Sequence, residues 1–392
     1  MKKQPIIAKG FLFSGIHAGI KKEKKDLGLI FSELPAVVAG ATTKNQVVAA
    51  PVILSREVIK SGKCRAFLVN SGNANAYTAD QGYENAKNSR IDLAKLLKIK
   101  PEEMAVASTG IIGVQLPVEK IISATDKLVN GLGVDYDGFV HAILTTDLTE
   151  KNVTKVLKLG GKEIIINGFA KGSGMIAPNM ATMLGFLTTD VAIDQKVLQK
   201  MVSKIVNDTF NMITVDSDTS TNDMVLIMAN GAAKNSELTA SELQLFENVL
   251  FSACKELALM IVRDGEGATK FIEVNVSGLK TDSDAKQLAM SIANSPLVKT
   301  AIFGENPNWG RIMMASGKSG IKFDQYKVSL RFGNIQIIKD GLLLDGSKEE
   351  ARQYLKEKDI IIFVEFSEGS SSATAWTCDF SYAYVKINAE YN

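Results

Sequence analysis

Residues 172–189, GSGMIAPNMATMLGFLTT, run for 18 positions without a charged side chain. That is close to the length of a membrane span. Gly, Ser, Pro, Asn and Thr crowd the segment, however, and in lipid they would leave backbone groups unpaired. The segment therefore reads as a buried loop entering a buried strand, Met183–Leu187. A polar loop without charges needs a large core around it. The chain has 392 residues, 46% of them hydrophobic and 22% charged, which is material for roughly two or three globular domains. Neither disorder nor a disulfide scaffold fits that balance.

The charge balance excludes further classes. Lys+Arg 45 against Asp+Glu 43 leaves a net charge of +2, with no general attraction to nucleic acid or anionic membrane. Cys64, Cys254 and Cys378 are scattered without a CxxC pair, which points to reduced thiols in a cytoplasm-like compartment. The amino-terminal MKKQPIIAKGFLFSGIHAGIKKEKK begins like a secretory signal. Lys9, Gly10 and His17 interrupt its apolar run, so it reads as mature protein, with an export signal as the lesser alternative.

Only two histidines, His17 and His141, are present. A His-rich metal site is thereby excluded, and a Ser-His-Asp triad would have to use one of the two. His141 lies in a helical pattern and His17 in a Gly-rich stretch, and both read as structural. Gly317-Lys318-Ser319 ends like a phosphate loop, but Ile312 stands where that loop needs Gly. No GxGxxG occurs. Paired carboxylates remain open as acid and base, since no spacing singles out a pair.

Apolar β-rich runs at Ala66–Val69, Glu163–Ile166, Met183–Leu187, Met224–Met228 and Ile360–Val364 predict buried strands. Helical spacing predicts helices over Glu84–Leu97, Gln195–Val206 and Thr239 to about Val262, the last with a Thr239/Glu242 capping box. The mixture implies a layered α/β or α+β fold. Seven Asn/Gly/Ser/Thr clusters recur, several after predicted strands: Asn70–Asn75, Ser108–Gly110, Lys171–Gly174, Asp216–Asp223, Asp264–Gly267, Gly304–Arg311 and Gly369–Ser372. Together they suggest a polar site built from strand ends. For a chain rich in hydroxyls but poor in histidine, one solution among those left open is an amino-terminal Thr, whose own α-amine titrates near pKa 7.7–8.0. Thr182, ahead of an apolar strand, is one of several junctions that meet this requirement.

The run Lys171–Leu184 resembles the self-cleavage segment of the ornithine acetyltransferase family, also called glutamate N-acetyltransferases of arginine biosynthesis. The likeness spans the chain through Gly15–Lys21, Asn70–Asn75, Ser108–Gly113, Thr145-Thr-Asp147, Asp218–Asp223, Arg263–Lys270, Pro307–Arg311, Ala375-Trp376, Cys378-Asp379 and Tyr384–Ala389. It implies a sandwich of sheets between helices, shared with self-processing aminopeptidases. It also implies cleavage between Ala181 and Thr182 into an α chain (1–181) and a β chain (182–392) that stay together as α2β2 or larger. Thr182 would be the nucleophile, Thr109 and Gly110 the oxyanion hole, and Thr145, Lys171, Thr182, Glu266 and Asn388 the substrate contacts. The substrates would be N2-acetylornithine and glutamate, with no metal or cofactor, no nucleic acid and no membrane. Acetyl-CoA enters only in a bifunctional form, and an aminopeptidase or amidase and a non-catalytic amino-acid-binding protein are the competing readings. Departures from the pattern are Thr377 for Gly, Asn306 for Asp, Ser370–Thr374 for a Gly-rich stretch, and the absence of a Ser or Thr after Asn388.

Overall fold

Alternation of side chains along extended segments determines the layers. In Leu27–Ile30 and Ala66–Val69, Leu27, Leu29, Ala66 and Leu68 join one buried cluster while Ile30, Phe67 and Val69 join another. A sheet apolar on both faces must be covered on both, as in layered α/β proteins. The computed structural model describes residues 5–177 and 183–390. It divides into two units. The expected cleavage pair, Ala181 and Thr182, lies outside the described residues.

The first unit takes 1–172, 178–211 and 218–261. Its sheet contains β1 (Phe11–Ile16), β2 (Leu27–Thr42), β3 (Lys63–Asn73), β4 (Met104–Ile111), β5 (Lys151–Leu159), β6 (Lys162–Lys171), β7 (Leu184–Thr189) and, after β8 of the second unit (Ile213–Thr214), β9 (Met224–Ala229). The order is β4-β3-β2-β9-β7-β6-β5, with β1 on β2. The β3–β4 and β7–β9 pairs are parallel and the others antiparallel. Helices Ala79–Leu97 and Val118–Asn130 cover the Leu27/Leu68 face, and helix Asp137–Ile143 covers the opposite one.

The second unit takes 173–177, 212–217 and 262–392. Its sheet adds β10 (Phe271–Leu279), β11 (Ser329–Phe332), β12 (Ile335–Lys339), β13 (Leu342–Leu343), β14 (Asp359–Glu365) and β15 (Ser371–Cys378), in the order β13-β12-β11-β14-β10-β15-β8. Helix Asp282–Ala293 buries Ala285, Leu288, Ala289 and Ile292 against it.

All five predicted strands form. Helix Ala240–Arg263 starts at the expected box, where Glu242 accepts from the Thr239 N–H at 2.9 Å. The described part of 172–189 is, as expected, loop followed by the wholly buried β7. Two differences stand out. Clusters Asp264–Gly267 and Gly304–Arg311 follow helices rather than strands. Strand β2 went unpredicted because Pro35 interrupts it. The Pro sits where the register against β3 slips between Phe31 and Ala36, a bulge where its missing N–H does no harm.

The core of the first unit includes an aromatic cluster in which Phe169 lies 5.3 Å from Phe13, 5.0 Å from Tyr136 and 5.7 Å from Phe139 between ring centroids. Phe169→Ala should lower stability by about 3–5 kcal/mol, read from urea unfolding, because the cavity cannot collapse around three rigid rings.

Candidate functional site

Thr109 and Gly110 lie near the end of strand β4, just before Ile111, and Gly110 pairs with Gly72 of β3. Gly110 has φ 135°, and a Cβ there would stand 2.3 Å from the Gly72 carbonyl carbon, so no other residue fits. The motif Asn70–Asn75 holds this corner together. Ser108 Oγ donates to Asn70 Oδ1 at 2.5 Å, Asn70 Nδ2 donates to the Asn73 carbonyl at 2.9 Å, and Asn73 Oδ1 accepts from Asn75 N–H at 2.8 Å. Asn222, from another predicted cluster, donates to the carbonyls of Ala74 and Ser108 at 2.6 and 2.8 Å. These are buried amides satisfying a strand-end backbone that has run out of ladder partners.

Lys171, last residue of β6, donates to Thr109 Oγ1 at 3.3 Å. Two predicted site residues far apart in sequence are thus adjacent in the first unit. Asp147 organises their surroundings. Its Oδ1 accepts from Lys151 Nζ and from Gly172 N–H, both at 2.7 Å, and its Oδ2 accepts from Thr145 N–H at 3.0 Å. Burial alone would raise the Asp147 pKa, but the positive charges of Lys171 and Lys151 and the hydrogen bonds outweigh it. The carboxyl is held far below the usual carboxylate range. Asp147 and Lys151 escaped prediction, although Asp147 closes the quoted Thr145-Thr-Asp147 triplet. Its place two residues from a site threonine was the only hint in the sequence, and nothing there marks it as buried.

Glu266 and Asn388 belong to the second unit, where Asn388 Nδ2 donates to Glu266 Oε2 at 2.9 Å. Glu266 N–H donates to the Ser173 carbonyl at 2.9 Å, and Ser173 Oγ donates to the Asp264 carbonyl at 2.5 Å. A Cβ on Gly174 would meet the Glu266 carboxylate at 2.3 Å, so the loop after Lys171 lies directly against that side chain. Asp216 anchors the next residues, accepting from Met175 N–H at 2.6 Å and Ile176 N–H at 2.7 Å.

Both histidines have local partners. His17 Nδ1 lies 2.9 Å from the Lys24 carbonyl and His141 Nδ1 2.8 Å from that of Asp137. Asp137, His141 and Glu150 bring ligand atoms within 4.8 Å of one another, all exposed, with His141 Nε2 3.0 Å from Glu150 Oε1. The three thiols are buried, which pushes Cys64 and Cys254 up to about 12.

Removing the Asp147 carboxylate takes the counter-charge from a fully buried lysine, Lys151. Asp147→Ala should lose about 3–5 kcal/mol at pH 7 by urea unfolding. The folded pKa lies below the unfolded one, so this contribution is present above about pH 4 and declines as pH falls below it. The gap to the wild type should therefore begin to close below about pH 4.

The profile of the ArgJ family matches residues 12–392. The arginine biosynthesis bifunctional protein ArgJ of Caldanaerobacter subterraneus is 48% identical over 393 residues, covering 98% of this chain and 97% of its own length. The protein of the same name from Lactococcus lactis is 47% identical over 385 residues, covering 98% and 97%. Among solved structures, an ArgJ chain from Bacillus halodurans is 48% identical with a TM-score of 0.50, and aligns 52% of this chain with 97% of that one. With a full-length profile match and full-length relatives close to half identical, the chain belongs to the ArgJ family.

Proposed function

We propose that this ArgJ-family acyltransferase carries the acetyl group of N2-acetyl-L-ornithine to L-glutamate through an acetyl–Thr182 ester, after self-cleavage between Ala181 and Thr182. The observation that carries the reading is the Lys171–Thr109 hydrogen bond beside Gly110. The hydroxyl oxygen of Thr109 accepts from the ammonium, so its own O–H is left to donate elsewhere. A Thr O–H beside a strand-end N–H is the pair of donors that an acyl oxyanion requires.

In the proposed sequence the Thr182 oxygen attacks the acetyl carbonyl while the Thr182 α-amine takes the hydroxyl proton. The C–N bond breaks, the proton passes to the leaving α-amine, and ornithine departs. Glutamate's amine then attacks the ester carbon and gives a proton to the Thr182 α-amine, which passes it to the Thr182 oxygen as the C–O bond breaks, and N-acetylglutamate leaves. Each substrate meets the same site in turn, so the kinetics are ping-pong. Lys171 meets a carboxylate, Glu266 with Asn388 meets an ammonium, and Thr145 contacts substrate.

Two features support cleavage. The solved Bacillus halodurans chain is almost wholly aligned with about half of this one, whereas the curated relatives run its full length. In addition, β6 and β7 lie on either side of the Ala181–Thr182 bond and are paired in one sheet. A cut there leaves the fragments 1–181 and 182–392 bound through a ladder, and we propose assembly as α2β2 or larger. The proposed chemistry calls on no metal or cofactor, and cytoplasmic biosynthesis is its setting. No helix among the described residues is long and apolar enough to cross a membrane. The curated relatives are named bifunctional, which favours a second reaction here, acetyl transfer from acetyl-CoA to glutamate through the same ester.

Intact mass spectrometry tests the proposal. Purified protein should show two fragments meeting at Ala181/Thr182, with one acetyl group gained by the carboxy-terminal fragment on addition of N2-acetylornithine. A single chain that Thr182→Ala leaves unchanged would sink it. Thr109→Ala, which removes one oxyanion donor, should lower kcat about 10²–10³-fold in cleaved enzyme.

A further inference from the structure

Lys21 lies in the loop between β1 and β2, and a buried carboxylate fixes its place. Asp26, fully buried, accepts from the Ala18 N–H at 2.6 Å and the Lys21 N–H at 2.8 Å. Its own N–H donates to the Ile16 carbonyl, and its carbonyl accepts from Ser71 N–H, both at 2.9 Å. The loop is thereby folded onto the end of β3. The stem of Lys21 crosses Gly72, where an added Cβ would stand 2.8 Å from Lys21 Cγ. Gly72 is the register partner of Gly110. At the far end, Lys21 Nζ donates to the Leu144 carbonyl at 2.8 Å, one residue before Thr145. The side chain therefore runs from the Gly72–Gly110 pair to the Thr145 loop.

We propose that Lys21 binds a substrate carboxylate, and that its ligand is the side-chain carboxylate of the acceptor amino acid. This rests on the transfer reaction proposed above. The donor carries one carboxylate and a side-chain ammonium, whereas glutamate carries two carboxylates. Lys171 meets one carboxylate, and the second requires another cation. Lys21 has three N–H donors, and among the described residues one of them is engaged, by the Leu144 carbonyl. Burial, Lys24 and Lys171 disfavour its charge, while Asp26 and Asp147 favour it; the balance brings its pKa down to about 8. An arriving carboxylate relieves that disfavoured charge, and the same ammonium repels the side chain of ornithine. Charge at this position thus separates acceptor from donor.

Steady-state kinetics of wild type, Lys21→Met and Lys21→Arg with both substrates test the assignment, with cleavage of each variant checked by intact mass. Lys21→Met should raise the glutamate KM roughly 10–100-fold, as expected for loss of a charged hydrogen bond, with a much smaller change for N2-acetylornithine. Lys21→Arg should restore most of the glutamate affinity. Wild-type glutamate KM should rise as pH passes about 8 and Lys21 loses its proton, and this rise should be absent in Lys21→Arg. Equal KM increases for both substrates, or none for either, would overturn the assignment. Calorimetric glutamate binding without donor separates the two proposals. A wild type that binds glutamate but transfers no acetyl fails the transfer reading alone, and equal binding by Lys21→Met fails the Lys21 assignment alone.

Discussion

The Asp147 carboxylate is the interaction on which the first unit's polar corner depends. It ties three stretches of chain together: Thr145 through its N–H, β5 through Lys151, and the exit from β6 through the Gly172 N–H. Its side chain and that of Lys151 are both fully buried. Desolvating two charges is expensive, and an apolar pair of the same size is often no less stable. What the ion pair adds is direction. A carboxylate that accepts from two backbone N–H groups fixes where the chain leaves β6, and from that position Lys171 reaches Thr109.

The arrangement would also let the fold accept the cut proposed at Ala181/Thr182. The backbone on either side is held by separate means: upstream by Asp147 at Gly172 and by Asp216 at Met175 and Ile176, downstream by the ladders of β7 with β6 and β9. Each folding unit contains residues from before and after that position. The proposed cut would therefore remove no strand from either sheet.

Much of this was legible in the sequence. Buried strands announced themselves as short β-branched and aromatic runs, and the long helix through its capping box. The Asn-rich clusters marked strand ends because side-chain amides stand in where ladder partners are missing. Strand β2 was hidden by Pro35, which ordinarily ends a strand and here only bends it. Helix Ala79–Leu97 began earlier than predicted since its first turn, Ala79–Gly82, has no apolar periodicity. Asp147 and Lys21 were illegible as site residues for a different reason. An acid or a lysine in a loop normally faces water, and only long-range contacts, with Gly172 for Asp147 and with Gly72 for Lys21, bury the first and half-bury the second.

The departure at Thr377 has a similar long-range cause. Where the resembled pattern has Gly, this chain has a hydroxyl that accepts from Lys299 Nζ at 2.6 Å, and Lys299 is fully buried. The same ammonium donates to the Cys378 carbonyl and lies 4.7 Å from the Phe380 ring centroid. Next along, Asp379 accepts from the N–H groups of Thr269 at 2.8 Å and Lys270 at 2.9 Å. Those residues follow directly from Glu266-Gly267, and Ser381 Oγ donates to the Gly267 carbonyl at 2.5 Å. Thr377 thus anchors Lys299 two residues before Asp379, the residue that holds the loop after Glu266. A glycine there would leave the lysine one acceptor fewer in a site that water does not reach, so the substitution is read with Lys299 as a pair. It gives Lys299 a hydroxyl acceptor and leaves the Glu266–Asn388 contact itself intact.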